Sequence, residues 1–141
     1  MLKNVVVGVA DSPEAEVPLR SAIDLVKASG GTLHLVSAYK SGQPASNALP
    51  AELRFAAPST CPADERLAEL ARVATGEDVV VVTHPVTADP VEAITRVAAQ
   101  EHADLIVLGH HRTNGRHPLH RSVSGILARR VPCAVMIIPV T

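Results

Sequence analysis

Five short, nearly continuous apolar runs recur along the chain, at residues 5–9, 33–38, 79–83, 105–108 and 134–138, and a helical pattern separates each from the next. A strand with one wetted face alternates apolar and polar residues. A strand that is apolar throughout must be covered on both faces. Strands of this kind alternating with helices predict an α/β fold: an open, doubly wound, five-stranded parallel sheet with helices on both faces. Ligands of such sheets bind beyond the carboxyl ends of the strands.

The helical patterns carry their own punctuation. Ser12 is placed to cap a first helix, with Pro13 at its first position and Glu14 and Glu16 near its positive end. Leu19, Ala22, Ile23 and Val26 then recur at helical spacing until Gly30 and Gly31 stop the pattern. Pro18 predicts either a kink or a start nearer Val17. Pro62 opens a second helix with Leu67, Leu70, Ala71 and Ala74 inward and Gly76 as its stop. Asp89, Pro90, Val91 and Glu92 read as a capping box before Val91, Ile94, Val97 and Ala98. Ser122 or Ser124 caps a fourth helix through Val123, Ile126 and Leu127, limited by Pro132. Residues 41–62 contain Pro44, Pro50, Pro58 and Pro62 among small polar residues and read as a long surface loop. The whole chain, 1–141, is expected to be a single domain.

Composition excludes several partners. Tyr39 and Phe55 are the only aromatic residues, which removes a stacking platform for single-stranded nucleic acid. The net charge of −1 argues against a duplex-binding protein, so no nucleic acid is expected. Two cysteines, Cys61 and Cys133, are too few for a disulfide framework, and no apolar run is long enough for a signal peptide or membrane span. The expectation is a cytoplasmic chain with no membrane partner. Cys133 reads as a buried small hydrophobe and His34 as a packed or surface-facing strand residue.

The charge is unevenly distributed. Residues 1–104 hold 8 Lys and Arg against 14 Asp and Glu, whereas residues 105–141 hold 5 Arg, no carboxylate and 4 of the 7 histidines. The strand ends to inspect are Ala10, Asp11 and Ser12; Ala38 and Tyr39; His84; and Gly109 onward. Only the last is dense in functional groups: Gly109, His110, His111, Arg112, Asn114, Gly115, Arg116, His117, His120, Arg121 and Ser122 fall between a strand and a helix start, where backbone N–H groups and arginines attract anions. The basic share predicts a small anion or a nucleotide as ligand. Asp11 reads first as a helix-entry cap. The P-loop, the dinucleotide G-x-G-x-x-G and the G-x-S-x-G elbow are all absent. His110, His111, His117 and His120 lack a neighbouring cysteine or carboxylate and are not spaced as zinc ligands, so no metal site is assigned. No residue stands out as a catalytic base or nucleophile.

Several segments resemble the universal stress protein family. VVVGVADSPE resembles its first strand and the turn after it, and TLHLVSAY its second strand. DPVEAITRVAAQEHADLIVLGHH resembles its third helix and fourth strand, and SVSGILARRVPCAVMIIP its last helix and strand. The resemblance implies a Rossmann-like five-stranded sheet and a homodimer, often paired through the last strand, here 134–138. It also implies a nucleotide site at Ala10, Asp11, Ser12, Ala38, Gly109, His110, His111, Arg112, Arg121, Ser122, Val123 and Ser124. ATP-binding members carry G-x2-G-x9-G-[ST] after the fourth strand. In this chain Gly109 matches the first glycine, Arg112 stands at the second, and Ser122 with Val123 at the end; allowing a one-residue deletion, residues 121–124 match G-S-V-S with Arg121 replacing glycine. Ala10 holds the place of the first-strand aspartate, with Asp11 one residue late, and Ala38 corresponds to the adenine-flanking position.

An arginine cannot replace a glycine whose positive φ and missing side chain let phosphate reach the backbone. The GHH start resembles the subgroup without the ATP motif. The expectation is therefore a non-enzymatic stress-response protein, a homodimer acting through partner or ligand interaction, with weak or absent ATP binding. The alternative is an ATP- or AMP-binding module, with magnesium, or a slow ATP hydrolase using residues 109–124 on the phosphates.

Overall fold

The computed structural model describes residues 2–9, 16–39, 62–111 and 123–140. In chain order these form β1 (Asn4–Gly8), α1 (Glu16–Ser29), β2 (Thr32–Tyr39), α2 (Pro62–Gly76), β3 (Val80–Thr87), α3 (Pro90–Gln100), β4 (Leu105–His111), α4 (Val123–Arg130) and β5 (Ala134–Val140). All strand pairings are parallel, and the strands lie in the order β3-β2-β1-β4-β5. This is the doubly wound α/β sheet that the apolar runs predict.

The central strands are buried on both sides, and their residues divide strictly by parity. Val5, Val7, Leu33, Leu35, Leu105 and Val107 pack with Leu19, Ile23 and Val26 of α1 and Leu67 and Leu70 of α2. Val6, Val36, Ile106 and Leu108 pack on the other face with Ile94 and Val97 of α3 and Leu127 of α4. Continuous apolar runs are needed because each residue meets one helical layer or the other.

The helices begin and end as their sequences direct. Pro18 is the third described residue of α1 and is buried beside Leu19. Gly30, at φ 74°, closes α1 with its N–H on the Val26 carbonyl at 2.7 Å. Asp89 caps α3, its carboxylate accepting from the Glu92 N–H at 3.0 Å with Pro90 at the first position. Glu92 turns its own carboxylate to Arg96 at 2.7 Å, so the capping box is realised in its forward half. His102, at φ 53°, ends α3 with the Ala103 N–H on the Ala98 carbonyl at 2.9 Å. Ser124 lies inside α4 and is therefore not its cap. Ser12, Pro13, Ser122 and the 41–62 segment fall outside the described residues, apart from Pro62 at the start of α2.

Three strands, β3, β4 and β5, run two or more residues past their apolar patterns. β3 continues through His84 and Pro85 to Thr87, so His84 lies within the strand and not at its end. A proline is tolerated there because β3 is an edge strand with one unpaired side. β4 continues through Gly109 to His111, because β5 extends to Val140 and supplies partners: His110 pairs with Pro139 and His111 with Val140. Backbone pairing, not side-chain polarity, sets those ends.

Candidate functional site: the strand-end crevice and a histidine pair

The order of strands reverses between β1 and β4: the chain runs outward to β2 and β3 on one side and to β5 on the other. Connections leaving neighbouring strands in opposite directions open a crevice at their carboxyl ends. Its base is tightly filled. A side-chain carbon on Gly8 would lie 2.8 Å from Leu108 Cδ2 and 2.9 Å from Ile94 Cδ1. The Val9 N–H donates to the Val36 carbonyl at 2.8 Å, holding the exit of β1 against β2.

Around this point the expected site residues divide into two groups. Ala38 is half-buried near the end of β2, against the α3 layer. Gly109 is exposed, and His110 and His111 continue β4 beyond it. Val123 and Ser124 open α4. Ala10, Asp11, Ser12, Arg112, Arg121 and Ser122 lie outside the described residues, as do His117, His120 and Cys61. Cys133 is half-buried against the α3 and α4 layer, and burial pushes its thiol above the usual range. A separate groove of about 350 Å³ runs along α1 and is lined by Glu16, Val17, Arg20 and Val73 among others.

A second constellation lies towards the amino-terminal half of the sheet. His34 of β2 is only 3% exposed, one of two polar side chains buried among the described residues. Its Nε2 lies 3.0 Å from Asn4 Oδ1 of β1, and its Nδ1 lies 3.0 Å from Nε2 of His84 on β3. An amide oxygen only accepts, so His34 carries its proton on Nε2. Its bare Nδ1 then accepts the His84 Nε2–H. Glu101, the C-cap of α3, brings its carboxylate to the same place: one ligand atom each from His34, His84 and Glu101 lies within 4.8 Å of the others. Burial and the neighbouring His84 hold the His34 imidazole below its ordinary pKa, partly offset by the Glu101 charge; burial does the same to His84. No local motif links positions 34, 84 and 101. The one available signal was a histidine interrupting an apolar strand on the face shared with Val36.

The sequence model of the universal stress protein family matches residues 1–139. The chain belongs to this family. Among solved structures, a universal stress protein in complex with cAMP is 25% identical, with a TM-score of 0.73 and 97% of both chains covered. A universal stress protein from Archaeoglobus fulgidus in complex with dAMP is 21% identical, with a TM-score of 0.70 over 98% of this chain and 99% of that one. A protein of Mycobacterium tuberculosis is 27% identical, with a TM-score of 0.62 over 99% of this chain and 97% of that one. No curated protein sequence matches significantly. Like the universal stress proteins it resembles, the chain is an α/β sheet protein. Among its described residues no helix is long and apolar enough to cross a membrane.

Proposed function

We propose that this universal stress protein is a non-enzymatic, cytoplasmic stress-response protein that works as a homodimer through protein partners. Its crevice between β1 and β4 takes an adenine nucleoside monophosphate, cyclic or linear, in preference to magnesium ATP. The observation that carries the reading is the reversal of strand order at β1 and β4, which opens the crevice beside Gly8 and Gly109. The relative at 25% identity is a complex with cAMP, which supports an adenylate as ligand.

The preference for a monophosphate rests on what replaces the glycines. A triphosphate needs a run of backbone N–H groups that its phosphates can approach closely. Arg112 and Ser122 stand at two positions where ATP-binding relatives have glycine, and residues 105–141 carry five arginines without a carboxylate. Guanidinium groups suit a single phosphate group held by side chains. For assembly, β5 ends the sheet with one edge unpaired and Met136 is 36% exposed, an edge suited to pairing with its own copy.

The test is calorimetric titration of nucleotide-free protein with cAMP, AMP and magnesium ATP. A monophosphate is expected to bind at least about tenfold more tightly than magnesium ATP, a difference of about 1.4 kcal/mol. Arg112→Gly is expected to narrow that gap. Tighter binding of magnesium ATP, or stoichiometric ATP carried through purification, would sink the reading.

A further inference from the structure

One buried and one half-buried imidazole with adjoining lone-pair positions, and a carboxylate beside them, form a donor set that the strand-end crevice does not use. We propose that His34 Nδ1, His84 Nε2 and a carboxylate oxygen of Glu101 form a binding site for a divalent transition-metal cation of the zinc type, with water as fourth ligand. The site ties edge strand β3 and the end of α3 to β2. It is independent of the nucleotide reading.

The donor chemistry selects the class of cation. Two imidazole nitrogens and one carboxylate suit zinc, cobalt, nickel and copper, whereas magnesium and calcium favour all-oxygen shells. The spacing also fits. With metal–nitrogen bonds of about 2.0–2.1 Å, two ligand atoms on a tetrahedral ion stand about 3.3 Å apart. The two ring nitrogens are 3.0 Å apart, so they need to open by only about 0.3 Å. Their centroids are 5.2 Å apart and the rings tilted by 36°, an arrangement in which both can present an edge to one point. Glu101, already within 4.8 Å of both, is half-buried and closes the remaining gap by side-chain rotation.

The surroundings prepare the ligands. Metal-bound histidines hold their second ring nitrogen in a hydrogen bond that fixes tautomer and ring orientation. Asn4 Oδ1 provides that bond to His34 at 3.0 Å, leaving the Nδ1 lone pair turned toward His84. Both histidines are biased to the neutral, metal-binding form at neutral pH by their burial. In the metal-free protein the His84 Nε2–H fills the space between the rings. Binding replaces that proton: His84 changes tautomer, carrying its hydrogen on Nδ1, and both bare nitrogens turn onto the cation. Glu101 supplies one negative charge to offset the ion's two.

Among the described residues this is the one convergence of three His, Cys, Asp or Glu ligand atoms. The test uses the full chain, purified without a histidine tag and stripped with a chelator, titrated with zinc and separately with cobalt. One equivalent of zinc is expected to bind and raise Tm, and cobalt to give the intense visible absorption of a tetrahedral site. His84→Gln and Glu101→Gln, both at half-exposed positions that spare the core, are each expected to weaken zinc binding by at least about tenfold. The His117→Ala/His120→Ala double variant is expected to bind zinc as the wild type does. Failure of the wild type to bind, unchanged affinity in both His84→Gln and Glu101→Gln, or loss of binding in the His117→Ala/His120→Ala variant would each overturn the proposal.

Discussion

Three glycines offer a test of how the start of the chain is locked to the turn between α1 and β2. At Gly31 an added Cβ would lie 2.7 Å from the Lys3 carbonyl oxygen and closer still to that of Leu2. Both are backbone atoms, and ordinary contact begins near 3.4 Å, so Gly31→Ala must displace the Lys3 carbonyl by about 0.7 Å and the Leu2 carbonyl by more. That displacement strains two bonds: the Thr32 N–H to the Lys3 carbonyl at 2.7 Å and the Ser29 hydroxyl to the Leu2 carbonyl at 2.8 Å. Overpacking costs about 1–3 kcal/mol. Each hydrogen bond contributes about 1 kcal/mol. Because the terms overlap, the expected loss is about 3 kcal/mol, or about 10 °C in Tm for a domain of this size. Gly30→Ala meets no atom within 4 Å but must hold φ at 74°, a cost of about 1–2 kcal/mol. Gly76→Ala meets nothing and has no positive φ, so it is expected to be neutral or stabilising by up to about 1 kcal/mol. Urea unfolding of the three variants, compared at unchanged m, measures the order. A Gly31→Ala protein no less stable than Gly30→Ala would refute the packing argument.

Three further outcomes are expected. His34 and His84 titrate below the unfolded value of 6.5, so in the metal-free protein the unfolded chain takes up protons first as pH falls. Stability is therefore full above that pH, declines as pH drops below it, and stops declining below the folded pKa values; His84→Gln should flatten this limb in urea unfolding series with chelator present. Asp104 accepts the Lys3 and Asn4 N–H groups, both at 2.9 Å, and these bonds hold its carboxyl below 3.8. The stability it lends is present above that value and lost as pH falls through the folded pKa; an Asp104→Asn protein should lack that acid limb, and an unaltered limb would contradict the assignment. Leu127, fully buried between α4 and the sheet, should cost about 2–5 kcal/mol as Leu127→Ala, read by thermal unfolding.

The residues that carried the fold in the sequence are those whose burial is two-sided. Val5, Val6 and Val7, or Leu105 to Leu108, cannot be apolar on both parities unless helices cover both faces, and the structure has those helices. Strand ends were harder to see because their cause is non-local. His84 and Pro85 extend β3 by pairing with Val36 and Ser37, and His110 and His111 extend β4 by pairing with Pro139 and Val140. No side-chain pattern in either segment announces a partner strand. Of the expected site residues, Ala38 lies one residue before the end of β2 and Gly109 two residues before the end of β4, while six fall outside the described residues. The His34, His84 and Glu101 cluster was invisible for a different reason: β2, β3 and the end of α3 come together only once the sheet has formed.

The proposed function requires an adenylate to bind at the carboxyl ends of β1 and β4. The direct measurement is a set of backbone amide NMR spectra of the isotope-labelled protein, recorded as cAMP is added. Shifts centred on Gly8, Val9, Ala38, Gly109, His110 and the first residues of α4, with little change along the α1 groove or around His34 and His84, are the predicted result. Shifts centred on Val17, Arg20 and Val73, or no specific shifts at saturating cAMP, would contradict it.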